Sequence, residues 1–185
     1  MNTDKVILKK KLDGKESSIT IRNMMISDIT EAYCDWLNDN EVNHYLESRF
    51  TKWDINSLLK YYHDKSGVEL LLAIIDNNSG AHIGNVKVSS IDKHHRRADI
   101  GIIIGDKRFW GKGIATEAIE LVTDYCFSTL QLHKVTAGAY VENIGSIKAF
   151  LNNGFVIEGE RKEHFLTSSG WTTAILLGKV NKEAP

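Results

Sequence analysis

The sequence predicts an α/β fold: one mixed, strongly twisted sheet of about seven strands with helices on both faces. Three observations carry this. The apolar pattern alternates between strand and helix periodicity in the order ββ, helices, βββ, helix, β, helix, ββ. A strand-like run at 98–104 leads into Gly111-Lys112-Gly113, which opens an amphipathic helix with Ile114, Ala118, Ile119, Val122 and Cys126 at helical spacing. There are no internal repeats and no low-complexity linker, so the 185 residues read as a single domain, 1–185, with room for a sizeable core.

Composition narrows the classes. Hydrophobic residues at 42% and charged residues at 25% are those of a folded globular chain rather than a disordered one. A net charge of −1 gives no global attraction to nucleic acid or to an anionic membrane, and neither is expected as a partner. No apolar run approaches a membrane span, and the N-terminus lacks a signal-peptide core. Cys34 and Cys126 are the two cysteines, far apart, and Cys126 falls on the apolar face of its helix. Reduced thiols and a cytoplasmic location are the expectation. No Cys/His cluster has zinc spacing, so no metal is expected.

Taken in order, 6–12 and 17–22 flank Asp13-Gly14, a short-loop hairpin signal, so two antiparallel strands should open the chain. Lys9-Lys10-Lys11 reads either as a basic patch or as a solvated edge strand. Ser27 is placed to cap a helix over 28–37. The stretch 35–50 is rich in aromatic, amide and charged side chains and weak in periodicity. It reads as a recognition segment, or as a helical turn anchoring Trp36, Val42 and Tyr45 in the core; both hold together if Glu47 and Arg49 face a cleft. Thr51, with Asp54 three residues on, marks the start of a helix to Lys65 that Ser66-Gly67 ends. Strands at 68–76 and 81–91 follow, joined by the turn Asn77-Asn78-Ser79-Gly80. His94, His95, Arg96 and Arg97 form either a phosphate-holding cluster or a solvated turn. After the strand at 98–104 come a helix at 113–129, a strand at 132–140 and a helix at 143–153 stopped by Gly154. Two strands, 155–166 and 171–180, flank the turn at 167–170, and the polar tail 181–185 should fray.

The glycine loop is the chemical focus. A helix N-terminus presents unpaired N–H groups and the positive end of the helix dipole. Glycine leaves that backbone open to a ligand, so Gly111 and Gly113 make either a phosphate cradle or simply a tight turn. The spacing is neither that of a Walker loop nor the dinucleotide fingerprint, because Thr116 stands where the latter needs Gly or Ala.

Trp110-Gly111-Lys112-Gly113-Ile114-Ala115, between strand and helix, resembles the acetyl-CoA pyrophosphate loop of the GNAT superfamily of N-acetyltransferases, Gln/Arg-x-x-Gly-x-Gly/Ala, with Trp110 departing from the first position. The longer run Trp-Gly-x-Gly-x-Ala-Thr-Glu-Ala is similar to the branch that acetylates ribosomal-protein N-termini, and to its small-molecule relatives. A second stretch, 143–155, resembles the family's Asn-x-x-Ser-x-x-x-Tyr/Phe-x-x-x-Gly-Phe signature. The resemblance spans residues 18–180. It implies a GNAT-like acyl-CoA N-acyltransferase fold, with the strands at 98–104 and 132–140 splayed to admit the pantetheine arm. It further implies that Ile102, Ile103 and Ile104 pair with the pantetheine amides as an added strand would. Trp110, Gly111, Lys112, Gly113, Ile114, Ala115 and Thr116 would meet the pyrophosphate of acetyl-CoA, the acetyl donor. Asn143 and Ser146 would meet the pantetheine arm, and Phe150 would pack against the cofactor.

The reaction so implied is transfer of an acetyl group to a primary amine, either of a small molecule, such as an amino-sugar nucleotide, or of a peptide N-terminus. A homodimer is left open. The chemistry asks little of the protein: a neutral amine held about 3–3.5 Å from the thioester carbonyl, and a base to take its proton. Asp99, in the strand before the loop, and Glu47, in the recognition segment, are the candidate bases; a strand-edge charge is the plain alternative for Asp99. His82 and His133 read as structural. The family's usual acid is a Tyr where this chain has Phe150, and neither Tyr125 nor Tyr140 is placed at the sulfur by sequence. That departure keeps a second class open, a non-catalytic acetyl-CoA sensor or interaction module.

Overall fold

The computed structural model describes residues 6–9, 11–12 and 15–182. The Asp13-Gly14 turn and Lys10 lie outside them. The N-terminal stretch holds four short strands rather than two: β1 (Ile7–Leu8), β2 (Lys11–Leu12), β3 (Lys15–Glu16) and β4 (Ile19–Asn23). β2 and β3 pair as a separate ribbon, while β1 pairs antiparallel with β4.

Helix α1 (Glu31–Asn38) starts later than Ser27 would place it, and Thr30 is its cap, accepting from the Tyr33 N–H at 3.3 Å. The reason is tertiary. Asp28, in a short 3₁₀ turn, faces inward, where it takes two hydrogen bonds from the Arg22 guanidinium, each 2.7 Å, and one from the Met25 N–H at 2.7 Å. A second 3₁₀ turn, Glu47–Phe50, leaves Thr51 extended behind it. Helix α2 (Ile55–Lys65) is therefore capped by Asp54, which accepts from the Ser57 N–H at 2.7 Å, and not by Thr51.

The rest follows the expected order: β5 (Leu70–Asp76), β6 (His82–Asp92), β7 (Arg97–Ile104), α3 (Ile114–Ser128), β8 (Lys134–Tyr140), α4 (Ile144–Leu151), β9 (Val156–Thr167) and β10 (Gly170–Val180). Among the described residues the main sheet has eight strands, in the order β1-β4-β5-β6-β7-β8-β10-β9. Only β7 and β8 run parallel; a crossover through α3 joins them, as parallel strands require.

Helices cover both faces. On one, Ile119, Val122 and Cys126 of α3 and Phe150 of α4 bury against Val86, Val88 and Ile100. On the other, Tyr33, Cys34 and Leu37 of α1 and Leu58 of α2 bury with Leu71. Both cysteines are free and buried, and burial pushes the Cys126 thiol up to about 12, so it stays protonated and inert. The 92–97 connection is a turn in which Asp92 accepts from the His94 and His95 N–H groups, and Arg96 ties it to the segment after α3 by donating to the Gln131 carbonyl. Among the described residues no helix is long and apolar enough to cross a membrane.

Gly105, just past β7, is where α1 meets the sheet. A Cβ there would lie 2.1 Å from Cδ2 of Trp36, well inside contact distance. Gly105→Ala should therefore displace the indole and cost about 1–3 kcal/mol, seen as a lowered denaturant midpoint with an unchanged slope.

Candidate active site

β7 and β8 are in register only at Arg97↔Lys134, Ala98↔Val135 and Asp99↔Thr136. Each then continues with its outer neighbour: β7 stays on β6 as far as Ile104, and β8 stays on β10 as far as Tyr140. The two strands part, and Ile100 to Ile104 border a wedge with no strand paired across it. Ile102, Ile103 and Ile104 are all half-buried on that edge.

The free edge runs into the glycine loop. Asp106 caps a 3₁₀ turn, Lys107–Phe109, through the Arg108 N–H at 3.0 Å. Lys107 reaches Asp39 at 2.8 Å and Glu41 at 2.6 Å, tying the loop to the end of α1. The Trp110 indole donates to the Ile104 carbonyl at 2.8 Å, folding the loop back on the strand. Lys112 lies 5.4 Å from the centre of the Phe109 ring. Gly111 and Gly113 sit at φ +69° and +79°, the left-handed region that glycine tolerates, and a Cβ at either would meet open space. Gly113 is the N-cap of α3 and supplies no capping side chain. By helix geometry the N–H groups of Ile114, Ala115 and Thr116 lack intrahelical acceptors. Glu117 does not serve them either: its carboxylate accepts from the Ser17 and Ser18 hydroxyls and from the Ser18 N–H at 2.9 Å.

α4 borders the other side of the wedge. Asn143 caps it, accepting from the Ser146 N–H at 3.2 Å, which leaves the Asn143 NH₂ group free of that task. Asn153 Nδ2 donates at 2.9 Å to the carbonyls of both Thr116 and Ala149, joining α4 to the first turn of α3. Phe150 is only 2% exposed, its ring 5.0 Å from that of Phe155.

On the α1–α2 face of the sheet, beside the same edge, lies a cavity of about 360 Å³. Asn85, Lys87 and Gly101 form its floor, and Glu47, Trp53 and Tyr61 stand in its walls. A larger open groove of about 1050 Å³ between α3 and the β9–β10 pair holds none of the candidate site residues.

Glu47 accepts from the Tyr140 hydroxyl at 2.5 Å. Tyr140 is buried, stacked on Phe165 at 4.0 Å and 11°, with the Arg49 guanidinium 5.1 Å from its ring centre. Burial and the Glu47 carboxylate push the Tyr140 hydroxyl up to about 12 against the opposing effect of Arg49, so it remains a donor. Asp99 sits at the vertex of the wedge. Burial raises its pKa above the usual carboxylate range, although Thr136 Oγ1 donates to it at 2.9 Å and the Lys87 charge also pulls it down. His82 Nε2 lies 3.0 Å from the Gly84 carbonyl and 2.9 Å from Asn85 Oδ1, packed edge-on against Tyr33 and Trp36; burial pushes its pKa down, so it is neutral and structural. His133 is exposed, and its backbone N–H donates to Arg96.

The structure thus brings Glu47 to the cavity and Asp99 to the wedge vertex. It adds two residues that sequence reasoning did not assign, Tyr140 and Asn85. Asn85 carried a signal, a lone amide within the otherwise apolar core of a central strand. Among the described residues no group of three His, Cys, Asp or Glu side chains could hold a metal.

Residues 18–156 match the acetyltransferase (GNAT) domain family. The chain is 31% identical over 152 residues to the uncharacterized N-acetyltransferase p20 of Bacillus licheniformis, covering 79% of this chain and 83% of that one. It is 34% identical over 116 residues to the spermidine N(1)-acetyltransferase of Escherichia coli (strain K12), covering 63% of this chain and 60% of that one. Among solved structures, the spermidine N-acetyltransferase from Vibrio cholerae in complex with CoA and spermine superposes with a TM-score of 0.79 at 25% identity, over 90% of this chain and 98% of that one. These relatives bear out the acetyl-CoA-dependent reaction and do not single out the ribosomal-protein branch. The chain belongs to the GNAT acetyltransferase family, and it passes an acetyl group from acetyl-CoA to the amine of a small molecule.

Proposed function

We propose that residues 1–185 form one cytoplasmic domain that seats acetyl-CoA in the wedge between β7 and β8 and admits the acceptor through the cavity beneath α1 and α2. The observation that carries this is the parting of the two strands after Asp99↔Thr136, which leaves a free edge leading straight to an uncapped helix start. Two free buried thiols support a reducing compartment.

In this reading the edge at Ile102, Ile103 and Ile104 offers backbone groups to the pantetheine amides. Asn143 and Ser146 meet the same arm from α4. Gly111, Lys112, Gly113, Ile114, Ala115 and Thr116 grip the diphosphate through main-chain N–H groups, with Trp110 holding the loop in place. Phe150, wholly in the core, acts by fixing α4. Glu47, oriented by Tyr140, attracts the cationic amine to the cavity. Asp99, with its raised pKa, takes the proton that the amine must lose, through a bridging water. The neutral amine nitrogen then attacks the thioester carbonyl; as the amide bond forms and the carbon–sulfur bond breaks, the second proton shed by the nitrogen passes to the departing thiolate, which leaves as the free thiol of CoA.

The names of the relatives support a small-molecule amine as acceptor. The wording of the run from Trp110 to Ala118 supports a peptide N-terminus as the second reading. Release of free thiol from acetyl-CoA, measured against spermidine, amino-sugar nucleotides, aminoglycosides and short peptides, separates them. Turnover with a small amine is expected; turnover with peptides alone would establish the second reading, and none with any amine would overturn both.

Gly113→Val tests the cradle. The residue needs φ +79°, where a β-branched side chain is strained, and the added methyls would project into the diphosphate's place. CoA affinity by calorimetry should fall at least tenfold; unchanged affinity would locate the diphosphate elsewhere.

A further inference from the structure

Resting on that acceptor cavity, we propose that the side-chain amide of Asn85 selects amines that also carry a hydroxyl or carbonyl oxygen, and sets the enzyme against bare polyamines.

Asn85 is 6% exposed and lies on the cavity floor. Its amide cannot be turned over. His82 Nε2 faces both the Gly84 carbonyl at 3.0 Å and the Asn85 amide at 2.9 Å. A carbonyl neighbour requires an N–H at Nε2, so the Asn85 atom facing it must be the oxygen. That leaves Nδ2, and it has no hydrogen-bond partner among the described residues. A buried donor left unmade is costly, and buried amides in native proteins are nearly always paired. The missing partner is an acceptor atom brought by whatever fills the cavity.

The charges around it point the same way. Lys87, two residues along β6, also lines the cavity, its ammonium paired with Glu69 at 3.4 Å. Glu47 is the only carboxylate among the described residues that line the cavity. One anion matches one ammonium, the reacting amine. A polyamine would bring further ammonium groups towards a floor where Asn85 Nδ2 offers a donor and not an acceptor. An amine with an oxygen on its body instead places an acceptor against Asn85. The chain would then differ in specificity from its relatives named for spermidine.

The test uses matched acceptors: 5-amino-1-pentanol against pentylamine, glucosamine against cyclohexylamine, and spermidine alongside. For the wild-type enzyme, kcat/KM should favour the oxygen-bearing member of each pair at least tenfold, because a site built to hydrogen-bond a hydroxyl rejects the analogue that lacks it. Asn85→Leu should bring that ratio close to one. Asn85→Asp keeps the acceptor for His82 and replaces the donor with a carboxylate, so the ratio should invert towards spermidine. CoA binding by calorimetry shows that each variant is folded; where one is not, the wild-type ratio decides alone. Turnover with no preference for oxygen, or a variant that slows both members of a pair equally, overturns this assignment and leaves the acetyltransferase reading standing. Failure to turn over any amine overturns that reading first.

Discussion

Asn in place of Asp99 is expected to slow acetyl transfer by about 10²–10⁴-fold while CoA affinity stays close to wild type, the size of effect that loss of a positioned base produces. The carboxylate sits where β7 and β8 part, beside the wedge but away from the glycine loop, so the diphosphate contacts should be untouched. Its protonation sets the pH profile. Burial raises the Asp99 pKa above that of an exposed carboxylate, with Thr136 and Lys87 only partly offsetting it. The active form is the ionised one. kcat/KM should therefore bend downward as pH drops through that raised value, at higher pH than an ordinary Asp would produce, and this inflection should be missing in Asp99→Asn, leaving only the dependence set by the amine's own ionisation. Glu47→Gln, by contrast, should chiefly raise KM for the amine, since it removes an attracting charge. If Asp99→Asn retains wild-type turnover while Glu47→Gln loses the inflection, the two roles are exchanged.

The largest loss of stability is expected from Asp28→Ala. Asp28 is 5% exposed and takes two hydrogen bonds from the Arg22 guanidinium as well as one from the Met25 N–H. Removing the carboxylate leaves the Arg22 guanidinium, itself about a quarter exposed, with only the Asn23 carbonyl at 3.0 Å, a change expected to cost about 3 kcal/mol, the low end for deleting one half of a buried ion pair. Denaturant unfolding measures it directly. The pH dependence follows from the sign of the shift. Burial by itself would raise the Asp28 pKa, but the Arg22 and Met25 hydrogen bonds outweigh it and hold the folded-state value below the usual carboxylate range. The contribution is thus complete above the unfolded-state pKa of about 3.9 and is lost as pH falls through the lower folded value. Wild type and variant should converge in acid. A difference that persists unchanged into strong acid would assign the stability to packing rather than charge.

These two carboxylates also show which parts of the molecule a sequence reveals. Strand, glycine turn and helix around Gly113 were legible because their signals are local: apolar spacing that changes period, and two glycines without side chains placed just before the helix start. The caps were harder. Ser27 and Thr51 have the right chemistry at plausible spacing, yet Thr30 and Asp54 do the work, because Asp28 is drawn inward by an arginine on a neighbouring strand and Thr51 follows a 3₁₀ turn. The N-terminal strands pair antiparallel with each other on either side of the Asp13-Gly14 dipeptide, as that local signal announces, but in two separate pieces, β1 with β4 and β2 with β3, which it does not. Tyr140 and Glu47 are 93 positions apart, so their contact is a product of topology alone. The glycine-loop wording is shared across the family, and so it marks the donor substrate while saying little about the acceptor. That information lies in the cavity floor, in residues such as Asn85 whose meaning appears only once neighbouring strands surround them.

One amide group, that of Asn153, grips main-chain oxygens from two helices at once. It acts as a hinge pin set in place when the chain folds: the mouth between the two helices has its angle before any nucleotide arrives. The incoming coenzyme need not prise it apart, and the ordering that tight association would otherwise demand has already taken place.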